Sequence, residues 1–257
     1  MDRLLLQISD CHLPAEAGGL FRGVDPERQL QAVAADIRMR FPDADRLLLT
    51  GDLTHHGGAD SYRRLLDAVE SLAPARHWLP GNHDVAAVMA QFGEPGLADK
   101  LIDTRYWRLL LLDSTARPDG RGGGSLAADE LERLEAALAT SGGRFVLIAL
   151  HHNPVKVDSR WQDEIMLGNA GRFWQLVDAC PQVRGVIFGH VHQTHDLQRG
   201  TVALFSAPST AVQFEARRDD FGLEPDPVLA QPGYRVYRLQ DDGCLKSRVV
   251  RVDCSTV

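Results

Sequence analysis

Long apolar runs are missing from this 257-residue chain. The longest early stretch, Leu4 to Ile8, is far too short for a signal-peptide core or a transmembrane helix, so no membrane insertion is expected and the chain should stay in the cytoplasm. Positive charge is in short supply: 28 Lys and Arg against 35 Asp and Glu leave a formal net charge of −7. That excludes a broad cationic footprint for nucleic acid, and an anionic membrane surface would repel the chain. Cysteine is scarce too. The four, at positions 11, 180, 244 and 254, have no close CxxC pairing and none of the density of a secreted scaffold, so they read as free thiols. No strand runs into Gly-xxxx-Gly-Lys-Ser/Thr, so the glycine-rich stretch Pro118 to Gly124 reads as a mobile surface turn rather than a phosphate loop. No repeat of fixed period occurs either.

What is present is a hydrophobic content of 44%, enough for one large core, and residues 1–257 are expected to form a single domain. Strand-like runs alternate with helix-like ones, as in βαβ units. Asp25-Pro26 looks like an N-cap with proline at the first helical position, followed by an apolar stripe of Leu30, Val33, Ala34 and Ile37. Further helices are expected after Asp60 or Ser61, burying Tyr62, Leu65, Leu66 and Val69, and at Ala127 to about Thr140 and Asn169 to about Ala179. Tyr106 to Leu112 reads as a buried strand. From about residue 201 the pattern becomes strands without helices, at Val202 to Phe205, Tyr234 to Leu239 and Leu245 to Val252, with Asp241-Asp242-Gly243 as a hairpin turn. This strand-rich part should complete the sheets, with a polar loop or arm near 215–232.

Five apolar runs end in polar clusters. Leu4 to Ile8 leads to Asp10-Cys11-His12, Arg46 to Thr50 to Gly51-Asp52, and His77 to Pro80 to Gly81-Asn82-His83-Asp84. Phe145 to Leu150 leads to His151-His152, and Val186 to Phe188 to Gly189-His190-Val191-His192. Strand ends on one edge of an α/β sheet are where such folds gather ligands. Asp10 and His12 are two apart, so an extended backbone would point both side chains one way and Cys11 the other, and His190 and His192 repeat the spacing.

Carboxylate, amide oxygen and imidazole together suit Mn, Fe, Co or Zn, and the lack of cysteine ligands argues against a structural zinc knot. Asp10, His12, Asp52, Asn82, His151, His190 and His192 are more ligands than one ion needs, so two divalent or trivalent ions are expected, with Asp52 as the bridging candidate. Two cations roughly 3.5–4 Å apart can hold a hydroxide and neutralise phosphate oxygens, which is the chemistry of phosphoester hydrolysis. The leaving oxygen needs a proton. His83, beside Asn82, is the candidate acid, and Asp84 the candidate to orient it. The isolated His55, His56, His77, His152 and His195 are read as structural, as are Thr210 and Phe214.

In order and type these motifs resemble those of calcineurin-like metallophosphoesterases. The resemblance implies an α/β fold of two stacked mixed β-sheets flanked by helices (α-β-β-α). It implies that Asp10, His12, Asp52 and His192 hold one ion, that Asp52, Asn82, His151 and His190 hold the other, and that Asn82 and His83 contact the phosphate. Leu112-Asp113-Ser114, Ala207-Pro208-Ser209-Thr210 with Gln213-Phe214, and Pro232-Gly233-Tyr234-Arg235 with the Asp242-Gly243 turn narrow it. They look like the bacterial class III cyclic nucleotide phosphodiesterases, which implies cleavage of 3′,5′-cyclic AMP to 5′-AMP and, as is common in that group, a homodimer. Cys11 and the polar insert Ala216 to Gln231 depart from the pattern, and neither removes a ligand. Rival expectations are another phosphodiester, a 2′,3′-cyclic nucleotide, a lipid-nucleotide pyrophosphate or a phosphomonoester as substrate. A non-catalytic scaffold is a further rival, against which the intact ligand set argues.

Overall fold

Every apolar run singled out above becomes a strand in the computed structural model, which describes residues 3–254. The first half runs β1 (Arg3–Ile8), α1 (Pro26–Arg40), β2 (Arg46–Thr50), α2 (Ala59–Val69), β3 (Ala75–Leu79), α3 (Ala86–Met89), β4 (Leu101–Asp103) and β5 (Trp107–Leu112). The second half runs α4 (Ala128–Ala139), β6 (Phe145–Leu150), α5 (Arg160–Asp163), α6 (Ala170–Asp178), β7 (Val183–Phe188), β8 (Asp196–Arg199), β9 (Val202–Ser206), β10 (Gly233–Leu239) and β11 (Leu245–Arg251). The start of α1 follows from its sequence: the Asp25 carboxylate accepts from the N–H groups of Glu27 and Arg28, and Pro26 occupies a position whose N–H would go unused. Helix α2 starts at Ala59, slightly earlier than expected, with Gly58 as its N-cap.

Among the described residues the strands form two mixed sheets, ordered β11-β10-β1-β2-β3 and β4-β5-β6-β7-β9-β8. In the first, β1, β2 and β3 are parallel and the antiparallel pair β10–β11 is added beside β1. In the second, β5, β6, β7 and β9 are parallel and β4 and β8 close the two edges antiparallel. The C-terminal strands therefore divide, β8 and β9 to the second sheet and β10 and β11 to the first. Short elements β4, β8, α3 and α5 were not foreseen, because three or four residues are too few for a period to show.

Three apolar layers result. Leu30, Val33 and Ile37 of α1 and Tyr62, Leu65 and Val69 of α2 pack on one face of the first sheet, against Leu6, Ile8, Leu47 and Leu49. Leu134 and Leu138 of α4 and Phe173, Trp174 and Val177 of α6 cover the outer face of the second. Between the sheets lie Leu5, Leu48, Leu79 and Tyr237 on one side and Trp107, Leu109, Leu111, Leu147 and Ile187 on the other. Inside that middle layer the buried Gln7 side chain donates to Thr50 Oγ1 at 2.8 Å and to the Phe188 carbonyl at 3.2 Å, and accepts from Tyr237 Oη at 2.6 Å. A fully bonded buried amide fixes how the sheets dock, because any slip would strand its polar atoms. Among the described residues no helix is long and apolar enough to cross a membrane.

Candidate metal centre

The loops after β1, β2 and β3 in the first sheet and after β6 and β7 in the second bring all seven candidate ligands into one cluster, six of them buried and Asn82 half-buried. Asp10, His12, Asp52 and His192 offer ligand atoms within 4.8 Å of one another, and Asp52, His151 and His190 do the same. Asp52 belongs to both groups. Asn82 joins the second, with Oδ1 3.1 Å from His151 Nε2.

The backbone reaches this arrangement by a different route from simple alternation. Asp10, His12, Asp52, His190 and His192 have φ of +55°, +48°, +49°, +70° and +49°, in the left-handed region. Asp and His tolerate that region better than bulky residues, and it turns the chain sharply at the strand end. The expected extended geometry is thus corrected. His190 and His192 part company, one to each group, whereas alternation would aim both at one ion. Cys11 does face away, into the core of the first sheet, where burial pushes its thiol up and out of the range of a reactive thiolate. Glycine is demanded where loops touch: Gly51 has φ +87°, and a Cβ there would lie 2.5 Å from His151 Nδ1.

The hydrogen bonds around the cluster show what it can hold. His192 Nδ1 lies 2.7 Å from the Val212 carbonyl and His151 Nδ1 2.9 Å from the Thr50 carbonyl. A carbonyl only accepts, so each Nδ1 carries a proton and leaves Nε2 facing the centre, a lone pair whenever the ring is neutral. Against the effect of burial, Asp52 raises His151 to about 9, so a cation there must displace its Nε2 proton. There His192 Nε2 meets His12 Nε2 at 3.0 Å and Asp10 Oδ1 at 3.4 Å, while His151 Nε2 meets Asn82 Oδ1 at 3.1 Å and Asp52 Oδ1 at 3.4 Å. A ring proton on His12 could bridge the first of these contacts but not the rest. His190 Nε2 and His12 Nδ1 are buried without any partner. Acceptors facing acceptors in a buried mixed oxygen and nitrogen cluster fit divalent cations. Burial strips the proton from His12 and His190, holding both well below the ordinary histidine value. Burial opposes charge on Asp52, but the His151 ring beside it, itself raised to about 9 by the same pairing, outweighs that and keeps Asp52 a carboxylate. It also accepts from the His83 N–H at 2.8 Å.

Asp84 does not orient His83. The turn closed by Asp84 N–H on the Gly81 carbonyl folds its carboxylate back onto the amides of Leu53 (3.1 Å), Thr54 (3.0 Å) and Gly81 (2.9 Å) and onto Tyr62 Oη (2.9 Å). It ties the Asp52 loop to the Asn82 loop. Burial and nearby Asp52 push its carboxyl up to about 6. The group that meets His83 is His56, whose Nε2 is 3.1 Å from His83 Nδ1.

Sequence reasoning also set aside other residues that the fold delivers here. His55 lies with His12 and His83 in a third ring cluster. His152 Nδ1 pairs with Ser114 Oγ at 2.8 Å and its Nε2 reaches the Gly122 carbonyl at 2.9 Å, so the glycine-rich stretch is tied to the site. Phe21 stacks on His12 and Phe214 on His192, each with ring centres 4.2 Å apart. His55, Phe21 and Phe214, with Arg22, Arg121, Gly122, Trp161 and Ile165, line a cavity of about 240 Å³ over the cluster. A larger groove of about 580 Å³ between the ends of α4 and α6 is lined by Leu138, Leu176, Cys180 and Gln182 and gathers no such set of ligands. The one signal available earlier was adjacency: His152 follows a ligand, and Phe214 stands in a quoted motif.

Comparison with known proteins agrees. The chain is 39% identical to the 3′,5′-cyclic adenosine monophosphate phosphodiesterase CpdA of Pseudomonas aeruginosa, over 97% of this chain and 90% of that protein. It is 36% identical to the protein of the same name from Vibrio vulnificus, over 96% and 89%. A dimetal phosphatase from Danio rerio superposes with a TM-score of 0.66 at 13% identity, over 98% of this chain and 99% of that one, a likeness of fold. The calcineurin-like phosphoesterase profile matches residues 4–194, which contain all seven ligand candidates. The chain belongs to the calcineurin-like phosphoesterase family.

Proposed function

We propose that this protein hydrolyses 3′,5′-cyclic AMP to 5′-AMP with two metal ions held by Asp10, His12, Asp52 and His192 and by Asp52, Asn82, His151 and His190. The observation that carries the reaction is the buried set of converging lone pairs, with Asp52 common to both groups. The relatives, 34–39% identical over nearly the whole chain, bear the name of cyclic AMP phosphodiesterases, and that supports the substrate. Bound there, the cations supply charge neutralisation at the phosphate and a lowered pKa for water. Fe, Mn, Zn or Co suits the donor set.

The chain's own groups do the remaining work. Asn82 and His83 contact the phosphate at the cavity floor. Water adds to phosphorus and releases one proton to solvent, the bond to the 3′ oxygen breaks, and His83 gives that oxygen its proton and regains one from solvent. His56 fixes the ring through Nδ1. Asp84 serves by holding the Asn82–His83 turn against the Asp52 loop. Residues 1–257 act together as one cytoplasmic unit, since both sheets contribute ligands.

Protein loaded with Mn²⁺ should hydrolyse cyclic AMP, and Asp52→Ala should lower turnover by about a thousandfold, the several kcal/mol a cation contributes to the transition state. Turnover indifferent to that change would overturn the metal assignment. A 2′,3′-cyclic nucleotide or another diester far ahead of cyclic AMP in kcat/KM would overturn the substrate.

A further inference from the structure

Arg22 is a cation without a counter-ion among the described residues, in a protein whose net charge is −7. Among the described residues its guanidinium meets aromatic rings only: it lies 4.4 Å from the centre of Phe221, 5.5 Å from Phe21 and 5.8 Å from Phe214. Arg121, the other arginine lining the cavity, is matched by Asp119 and Glu164.

Both walls of this aromatic cleft are built. Phe21 and Val24 exchange backbone hydrogen bonds of 2.9 and 3.1 Å, and with φ of +49° at Arg22 and +89° at Gly23 the turn holds Arg22 at its tip. On the far side Phe214 N–H bonds the His192 carbonyl, and Glu215 to Gly222 and Glu224 to Gln213 close a small hairpin that carries Phe221. Trp161 packs edge-on against Phe214 and Phe221, at 5.3 and 5.6 Å. The polar arm of the sequence thus brings an aromatic ring to the mouth of the site.

Because Phe21 and Phe214 are stacked on His12 and His192, the wall starts at the candidate ligands and leads outward. A phosphodiester with its phosphorus at the cluster sends the rest of its structure along that wall. A planar guanidinium supported by a ring offers a stacking surface for a flat π system. We propose that Arg22, held over Phe221 and flanked by Phe21 and Phe214, stacks on the nucleobase of the substrate and sets the preference for nucleotides over base-free phosphoesters. This rests on the phosphodiesterase reading above for where the phosphate sits.

Calorimetric titration of the Mn²⁺-loaded protein with 5′-AMP and with ribose 5-phosphate tests it without turnover. The wild type should bind AMP at least about tenfold more tightly, and Arg22→Ala and Phe221→Ala should each remove most of that preference while ribose 5-phosphate changes less than about twofold. Both side chains are exposed, so both variants should fold. Arg22→Lys keeps the charge and loses the plane, so the preference should stay low. An equal loss for both ligands in Arg22→Ala, full rescue by lysine, or a preference that survives both alanine variants would overturn the proposal. An AMP preference that behaves as expected in a protein unable to cleave cyclic AMP would leave the platform standing and remove the phosphodiesterase reading.

Discussion

The two sheets bring unlike chemistry to their shared edge. The first supplies all the oxygens, through Asp10, Asp52 and Asn82, together with His12; the second supplies only imidazoles, His151, His190 and His192. Neither set is complete alone. Even the bonds that orient the set cross from sheet to sheet: His151 of the second leans on the Thr50 carbonyl of the first, and the His190 N–H reaches the Asp10 carboxylate at 3.0 Å. The site is therefore a product of docking. Whatever fixes the middle apolar layer also fixes the distances among the ligands.

Two tryptophans separate docking from ordinary core packing. Trp107 lies in the middle layer, 1% exposed, with its indole N–H on the Gln240 carbonyl at 2.8 Å. Trp174 lies on α6 in the outer layer, 6% exposed, with its indole N–H on the Pro154 carbonyl at 2.8 Å. Alanine at either position should destabilise the fold by about 3–5 kcal/mol in urea unfolding. Only Trp107→Ala should also weaken metal binding in a competition titration. Equal weakening by Trp174→Ala would break the link between docking and the site.

Next in size is removal of the cations. Ligands drawn from both sheets let bound metal pull the sheets together, and at about a hundred times Kd the linkage is worth about 2.7 kcal/mol. A chelator should then lower Tm by roughly 5–10 °C for a chain of this size. The same chelator should leave Asp52→Ala unmoved, because that variant would lack the group common to both candidate ion sites. A third comparison stays inside the first sheet, where His56 and His83 lie on loops after β2 and β3. His56→Ala should lower kcat for cyclic AMP about tenfold, a fraction of what a general acid contributes. A diester with an activated aryl leaving group, which scarcely needs the proton, should be affected far less; equal losses would mean that His56 only supports the loop.

The difference between the sheets also explains what could be read from the chain. The candidate ligand set was legible because each member follows a short apolar run, and a buried strand leaves that mark locally. The backbone around Asp10, His12, His190 and His192 was not, because a left-handed φ leaves no trace in residue spacing when the residue is Asp or His. Asp84 illustrates the same limit: its position beside His83 suggested a pair, yet three amides and a tyrosine hydroxyl satisfy it first. His55, His56 and His152 carry no pattern of their own, and loop closure alone brings them in. Phe21 and Phe214 are far apart in sequence, and only tertiary packing makes them two walls of one cavity.

The smallest expected effect lies at the edge of the second sheet farthest in sequence from any ligand. Arg108 on β5 grips Asp103 on β4 with two bonds of 2.7 Å, and this pairing holds the Asp103 carboxyl below its usual range. The folded pKa lies below the unfolded one, so the stabilisation is present above the unfolded value, about 3.9, and fades as pH falls through the folded value. With the Asp103 side chain 35% exposed, solvent screening leaves about 0.5 kcal/mol. Asp103→Asn should lose that much at pH 7 and progressively less as pH falls below about 3.9, with metal affinity at pH 7 unchanged. A change in metal affinity would mean that the edge strand communicates with the ligand loops, and the division between a docking layer that matters to the site and a rim that does not would fail.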